Sequence, residues 1–140
     1  MEPIQLLHNT LKKHHQSLTN PRKIVFAALQ DHEPQTMNQL VKTCANQIDR
    51  ASIYRTIALF EKLGIVQRIQ LGWKYKLELS DMFQHHHHHL TCNVCHEIYP
   101  LAEDELMETR LYKLAEDSGF KATNHLLEIQ GVCSNCLKTA

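Results

Sequence analysis

"ASIYRTIALFEKLGIVQRIQLGWKYKLEL", residues 51–79, changes its period halfway along. Before Gly64, Ile53, Ile57 and Phe60 recur at i, i+4 and i+7, one apolar stripe of an amphipathic helix. Asp49 stands where an N-cap belongs and Gly64 where a helix stops. Past Gly64 the pattern alternates and predicts two strands joined at Gly72, with Trp73, Tyr75 and Leu77 on one face. A helix followed by a small hairpin is the second half of a winged helix-turn-helix, whose last helix enters the major groove while the hairpin lies beside the backbone. Ser52, Arg55 and Thr56 fall largely off the apolar stripe, with Tyr54 beside it. Lys74 and Lys76 on the hairpin suit phosphates.

Upstream, the chain reads as a string of short helices. "LLHNTLKKH" carries Leu6, Leu7 and Leu11 at helical spacing. "TNPRKIVFAAL" offers Asn20 as N-cap, Pro21 at the first helical position, and Ile24, Val25, Ala28 and Leu29 as one face. "TMNQLVKTC" opens on Thr36 with Gln39 three residues on, a capping box. Cys44, at helical spacing from Leu40 and Val41, reads as a core thiol.

Downstream, "QHHHHHLTCNVC", residues 84–95, holds five consecutive histidines. A purification tag sits at a terminus behind a flexible linker; this run is interior and leads straight into a C-x-x-C pair. If it is extended, its side chains alternate between faces. His87 and His89 then point one way, His86 and His88 the other, so one strand can feed two metal sites. Imidazole pairs with carboxylate in sites for zinc, iron(II) and manganese(II). Glu78, at the end of the hairpin, is the candidate partner for His87 and His89. "EDELMETRLYKLAEDSG" reads as a helix with Leu106, Met107, Leu111, Leu114 and Ala115 inward and Glu108 at the margin. "FKATNHLLEIQGVC" reads as a strand carrying His125. Glu108 and His125 are candidates to join His86 and His88.

Four of the five cysteines form two C-x-x-C pairs, Cys92/Cys95 and Cys133/Cys136. The N-terminus lacks a basic-then-apolar leader pattern, which predicts a cytoplasmic protein whose thiols stay reduced. Two such pairs far apart in sequence then fit one tetrahedral structural zinc. No apolar run approaches the ~20 residues of a membrane span, which predicts a soluble chain with no membrane partner.

The net charge of zero hides a division. Residues 1–77 hold 11 Lys/Arg against 5 Asp/Glu, a balance of +6; residues 78–140 hold 4 against 10, a balance of −6. A basic half suits a polyanion and an acidic, His/Cys-rich half suits cations. A zinc hydrolase would need an open coordination position and a nearby general base, and no H-E-x-x-H element is present. A metal storage or delivery protein could use the histidines but has no need of a basic winged helix. The chain is therefore expected to be an α+β protein and not an enzyme. A winged-helix DNA-binding domain is expected over 1–79, a hinge over 80–84 and a small α/β metal-binding domain over 85–140.

Taken together, "LTNPR", "ASIYRTIALFEKLGIV", "HHHHHLTCNVC", "TNHLLEIQGVC" and "CSNC" resemble the ferric uptake regulator family of metal-dependent repressors, from about Leu18 to Cys136. The resemblance implies an N-terminal winged helix, a C-terminal dimerisation domain, and a homodimer on a palindromic double-stranded operator. It implies structural Zn2+ at Cys92, Cys95, Cys133 and Cys136. It also implies a regulatory Fe2+, Zn2+ or Mn2+ at Glu78, His87 and His89, and a second metal at His86, His88, Glu108 and His125. Tyr54 and Arg55 match the DNA-contacting pair; Ser52, Thr56, Arg22 and Lys74 complete the expected interface. A peroxide sensor is a variant within the family, and relatives of that kind commonly carry aspartate where Glu78 stands. Several positions depart from the family pattern. Pro34 stands where a further hinge-site histidine is usual, leaving His32 as the candidate. Ser17 replaces a lysine, His88 stands where many relatives have aspartate, and His96 where glycine is usual. Two extra residues lie near Met82 and Phe83. In the mechanism expected, a metal gripping ligands from both domains fixes their angle and so favours the DNA-binding form.

Overall fold

The computed structural model describes residues 1–139 and divides into two compact units, Met1–His85 and a second that begins at His86. Among the described residues no helix is long and apolar enough to cross a membrane.

The first unit runs α1 (Pro3–Lys13), α2 (Asn20–Leu29), α3 (Met37–Cys44), α4 (Arg50–Lys62), β1 (Val66–Leu71) and β2 (Lys74–Leu79). Its helix ends follow local chemistry. The Thr36 hydroxyl accepts from the Gln39 N–H, and the Gln39 side chain accepts from the Thr36 N–H, closing the capping box. Asp49 caps α4 by accepting from the Ser52 N–H. At the far end Gly64, with φ +73°, lets Ile65 N–H bond back to the Phe60 carbonyl and its own N–H to Glu61, a Schellman stop. In α2 the cap position falls to Thr19, whose carbonyl takes the Lys23 N–H, so Asn20 is already helical and Pro21 is its second residue. Proline is tolerated there because its missing donor would be an orphan in any case.

Leu7, Leu11, Val25, Phe26, Leu40, Ile53, Phe60, Ile65 and Leu77 are fully buried and form the core. The sequence reading omitted Phe26, which widens the α2 face. It also read Thr56 as outward-facing, whereas Thr56 is buried beside Ile57. β1 and β2 pair from Val66↔Leu79 to Leu71↔Lys74, leaving Gly72 and Trp73 as a two-residue turn with Gly72 at φ +64°. Trp73 therefore sits at the hairpin tip, 86% exposed, and not on the face of Tyr75 and Leu77. Gln35 and Leu77 exchange both backbone bonds and fasten the hairpin to the α2–α3 loop. The segment read as a hinge, 80–84, packs on this unit: the Phe83 ring stands edge-on to Phe26 at 5.1 Å, and the Thr10 hydroxyl reaches the Met82 sulfur.

The second unit contains β3 (His88–Cys92), β4 (Ile98–Leu101), α5 (Glu105–Asp117), β5 (Glu128–Gly131) and α6 (Ser134–Thr139). Its sheet order is β4-β3-β5, with β3 antiparallel to β4 and parallel to β5. Asp104 caps α5 through the Met107 N–H. Of the inward stripe expected on this helix, Met107, Leu111 and Ala115 are half-buried, but Leu106 is 84% exposed and Leu114 is exposed as well. His125 lies in the loop before β5 and not in a strand. Phe120, Leu126, Ile129, Val132 and Leu137 are also exposed, so this unit carries more apolar surface than a small unit hides by itself.

Candidate metal centres and nucleic-acid face

β3 sits in the middle of its sheet, and both sulfur pairs arrive at its C-terminal end. Cys92 is the last residue of β3, and the parallel register sets it opposite Gly131, two residues before Cys133. The sulfurs of Cys92, Cys95, Cys133 and Cys136 all lie within 4.8 Å of one another. Cys95 Sγ and Cys133 Sγ are 3.8 Å apart. A tetrahedral zinc with bonds of about 2.3 Å to sulfur spaces its ligands by about 3.8 Å, so the four thiols fit that ion. The local backbone is shaped for thiolate: the N–H groups of Cys133, Cys95 and Val94 all point at Cys92 Sγ, at 3.4–3.5 Å. The Cys133 N–H leads these bonds in holding the Cys92 thiol down to about 5. The Cys136 N–H and the Tyr99 hydroxyl hold Cys133 below its ordinary value. His96, which follows the first pair, is exposed with φ +62° and its N–H on the Cys92 carbonyl. That left-handed turn explains why glycine is favoured there.

The imidazoles at the other end of β3 alternate as a pleated chain requires. His86 and His88 rings are 4.5 Å apart, as are those of His87 and His89. The first pair is joined by His125 from the loop before β5 and by Glu108 from α5. The Nε2 atoms of His86, His88 and His125 are 3.1–3.2 Å from each other. Glu108 Oε1 is 2.5 Å from His88 Nε2, and its Oε2 is 2.6 Å from His125 Nε2. Three neutral rings cannot satisfy this arrangement by hydrogen bonding alone. Each ring presents either a proton or a lone pair at Nε2, so at least two must face like to like. One cation meets all three lone pairs. Bonds of about 2.0–2.1 Å to nitrogen would space tetrahedral ligands by about 3.3–3.4 Å, close to the spacing seen. Burial works to raise the Glu108 carboxyl, but its hydrogen bond to His88 and the charges of His125, His88 and His86 outweigh it and hold it below its ordinary value.

His87 is half-buried and His89 buried. Within the first unit, Glu78 is a buried carboxylate on β2, accepting from Gln67 Nε2 at 2.7 Å across the hairpin. His32 is exposed in the loop after α2.

Two of the first unit's arginines, Arg22 and Arg55, meet at one cleft. Arg22, Ser52, Arg55 and Thr56, with Thr19 and Pro21, line a polar cleft of about 210 Å³. Ser52 Oγ accepts from Arg55 Nη2, and Arg22 Nη1 reaches the Ser17 carbonyl at 2.6 Å. Tyr54 is exposed, with the Arg50 guanidinium 5.3 Å from its ring centre. Lys74 lies over the Trp73 ring at the hairpin tip.

The Ferric uptake regulator family model matches residues 13–130. The chain belongs to the ferric uptake regulator family. Members are metal-responsive, DNA-binding regulators that form dimers, with a winged-helix domain before a dimerisation domain. The two units have that architecture. A ferric uptake regulation protein of Bordetella parapertussis is 37% identical over 93 residues, which cover 66% of this chain and 65% of that one. One from Vibrio anguillarum is 36% identical over 124 residues, covering 84% of this chain and 81% of its own. The crystal structure of the Vibrio cholerae ferric uptake regulator aligns with a TM-score of 0.68 at 30% identity, over 90% of this chain and 98% of that one. Sequence reasoning missed Tyr99 and Tyr112, which touch Cys133 and His125 from strand and helix positions. Neither sits in a spacing motif, so only the fold brings them to these clusters.

Proposed function

We propose that this chain is a transcriptional repressor whose homodimer grips a palindromic operator under the control of a divalent metal. The convergence of three Nε2 atoms and one carboxylate from four separate positions carries this reading, since such a cluster is costly without a cation to fill it. The four thiolates would hold structural zinc and contribute to folding of the second unit. His86, His88, Glu108 and His125 would hold a second metal. Glu78, His87 and His89, with His32 as a candidate fourth, would hold the regulatory ion; this assignment rests on the family pattern and on the donor chemistry. Imidazole with carboxylate accepts Fe2+, Zn2+ and Mn2+. On DNA, Arg55 and Tyr54 would meet bases or phosphates from α4, with Arg22, Ser52 and Lys74 on the backbone. Thr56 would shape the floor of the cleft. The exposed apolar surface of the second unit would be covered by the second copy.

The test is an operator-binding titration of metal-stripped, zinc-stapled protein with each ion. A linked switch of about 1–3 kcal/mol raises affinity roughly five- to 150-fold. A change of less than about twofold with all three ions would end the metal-switch reading while leaving a zinc-stapled DNA binder.

A further inference from the structure

We infer that Tyr112 is a positioning residue for His125: its hydroxyl accepts a hydrogen bond from Nδ1–H and so leaves the Nε2 lone pair to a metal. The inference rests on reading the His86–His88–Glu108–His125 cluster as a metal site. His125 Nδ1 lies 3.2 Å from the Tyr112 hydroxyl, with the two rings edge-to-face at 5.2 Å and 86°. The opposite nitrogen, Nε2, faces the cluster, 2.6 Å from Glu108 and 3.1–3.2 Å from the other two imidazoles.

A neutral imidazole has one proton for two nitrogens. It can give Nε2 to a cation only when Nδ1 holds the proton, and that proton needs an acceptor. Around His125 the phenol oxygen is at hydrogen-bonding distance of Nδ1. The His125 backbone is fixed separately, its N–H donating to Asn124 Oδ1 at 2.8 Å. Tyr112 and Glu108 are one turn apart on α5, so one helix face supplies both a donor to the cluster and the support for a second donor. A phenol suits the post because it both donates and accepts. Without a cation, Nε2–H can donate to Glu108 while the hydroxyl donates to Nδ1. With a cation, the ring proton sits on Nδ1 and the hydroxyl turns to accept it. A carbonyl in the same place could serve only the second state.

The test uses full-length, zinc-stapled protein carrying His87→Ala and His89→Ala to silence the other imidazole pair. Co2+ binding is followed by its ligand-field absorption, and the protons of ¹⁵N-labelled histidine are followed in the Zn2+-loaded form. Tyr112→Phe should weaken binding at the cluster by about tenfold or more, within the usual range for loss of such an outer partner. It should also leave the His125 Nδ1–H exchanging quickly with water, whereas Tyr112 protects it; a purely structural role for the ring would leave that proton unmoved. His125→Ala serves as the control for the site itself. If His125→Ala changes nothing, the metal-site reading fails and the inference with it. If His125→Ala abolishes binding but Tyr112→Phe keeps both affinity and proton protection, the inference alone is overturned.

Discussion

His88 Nε2 lies 2.5 Å from Glu108 Oε1, tying the central strand of the second unit to its long helix through one polar pair. Strand and helix share little else that is fully buried, for α5 has no fully buried residue. The pair therefore matters to folding whether or not a metal is bound. The Glu108 carboxyl is held below its ordinary value of 4.5. A group depressed in the folded state adds stability above its unfolded pKa and loses it as pH falls through the folded value. Metal-free protein should thus lose stability on acidification through that range, and Glu108→Gln should flatten this part of the profile. Urea midpoints on either side of 4.5 measure it, and an unchanged slope in the variant would remove Glu108 from the account.

Zinc removal should act on one unit and spare the other. The four sulfurs close the end of a three-stranded sheet with a thin core, whereas the first unit has its own fully buried cluster. Chelation, or Cys92→Ser, is expected to unfold residues after His86 while α1–α4 keep their protection. Hydrogen exchange resolved along the chain reads this directly. Uniform loss across both units would contradict it.

His96 occupies a left-handed turn at φ +62°. Side chains pay about 1–2 kcal/mol in that region, less the extra chain entropy that glycine loses on folding. His96→Gly is expected to stabilise the zinc-loaded protein by about 0.5–1 kcal/mol, seen as a raised denaturation midpoint with unchanged zinc content. A loss of zinc in this variant would instead make His96 a ligand.

Phe83 packs edge-on against Phe26. Removing a partly buried ring with that geometry should cost the first unit about 1–3 kcal/mol. Phe83→Leu should recover part of the loss. A neutral Phe83→Ala in thermal unfolding would show that residues 80–84 do not hold to this unit in solution.

Trp73 is the sole tryptophan and stands exposed at the hairpin tip beside Lys74. If the hairpin meets DNA, operator addition should shift or quench its emission and protect it from acrylamide. Lys74→Ala should lower affinity on all sequences and reduce the salt slope by about 1. Arg55→Ala should cost more on the operator than on random duplex if it reads bases. Emission indifferent to operator would place the hairpin away from the duplex.

Short-range chemistry was legible without coordinates. The Thr36–Gln39 box, the Asp49 cap and the Gly64 stop are each written within a few residues, because the bonds they make span a single turn. The split of His86/His88 from His87/His89 follows from the pleat itself. The two C-x-x-C pairs pointed by spacing to one cluster, and the four sulfurs do meet. The stripes of Ile53, Ile57 and Phe60 and of Val25, Ala28 and Leu29 are buried as read, and what failed were placements at the stripe margins. Thr56 is buried and Leu106 exposed, against their expected sides, because a helix face is hidden only where another element lies on it. Trp73 left its expected face because the turn, not the strand, claimed it.

The amino-acid order by itself fixed the turns, the caps, the parity of the histidines and the types of donor atom, all set by bonds and by neighbours a few positions away. The fold alone decided that His125 and Glu108 reach His86 and His88, that the Cys133 N–H joins two local ones on Cys92 Sγ, and that Tyr112 stands behind His125. Those meetings join positions from 13 to 41 residues apart. The register of β3 with β5 and the lie of α5 set them, and no local pattern encodes either.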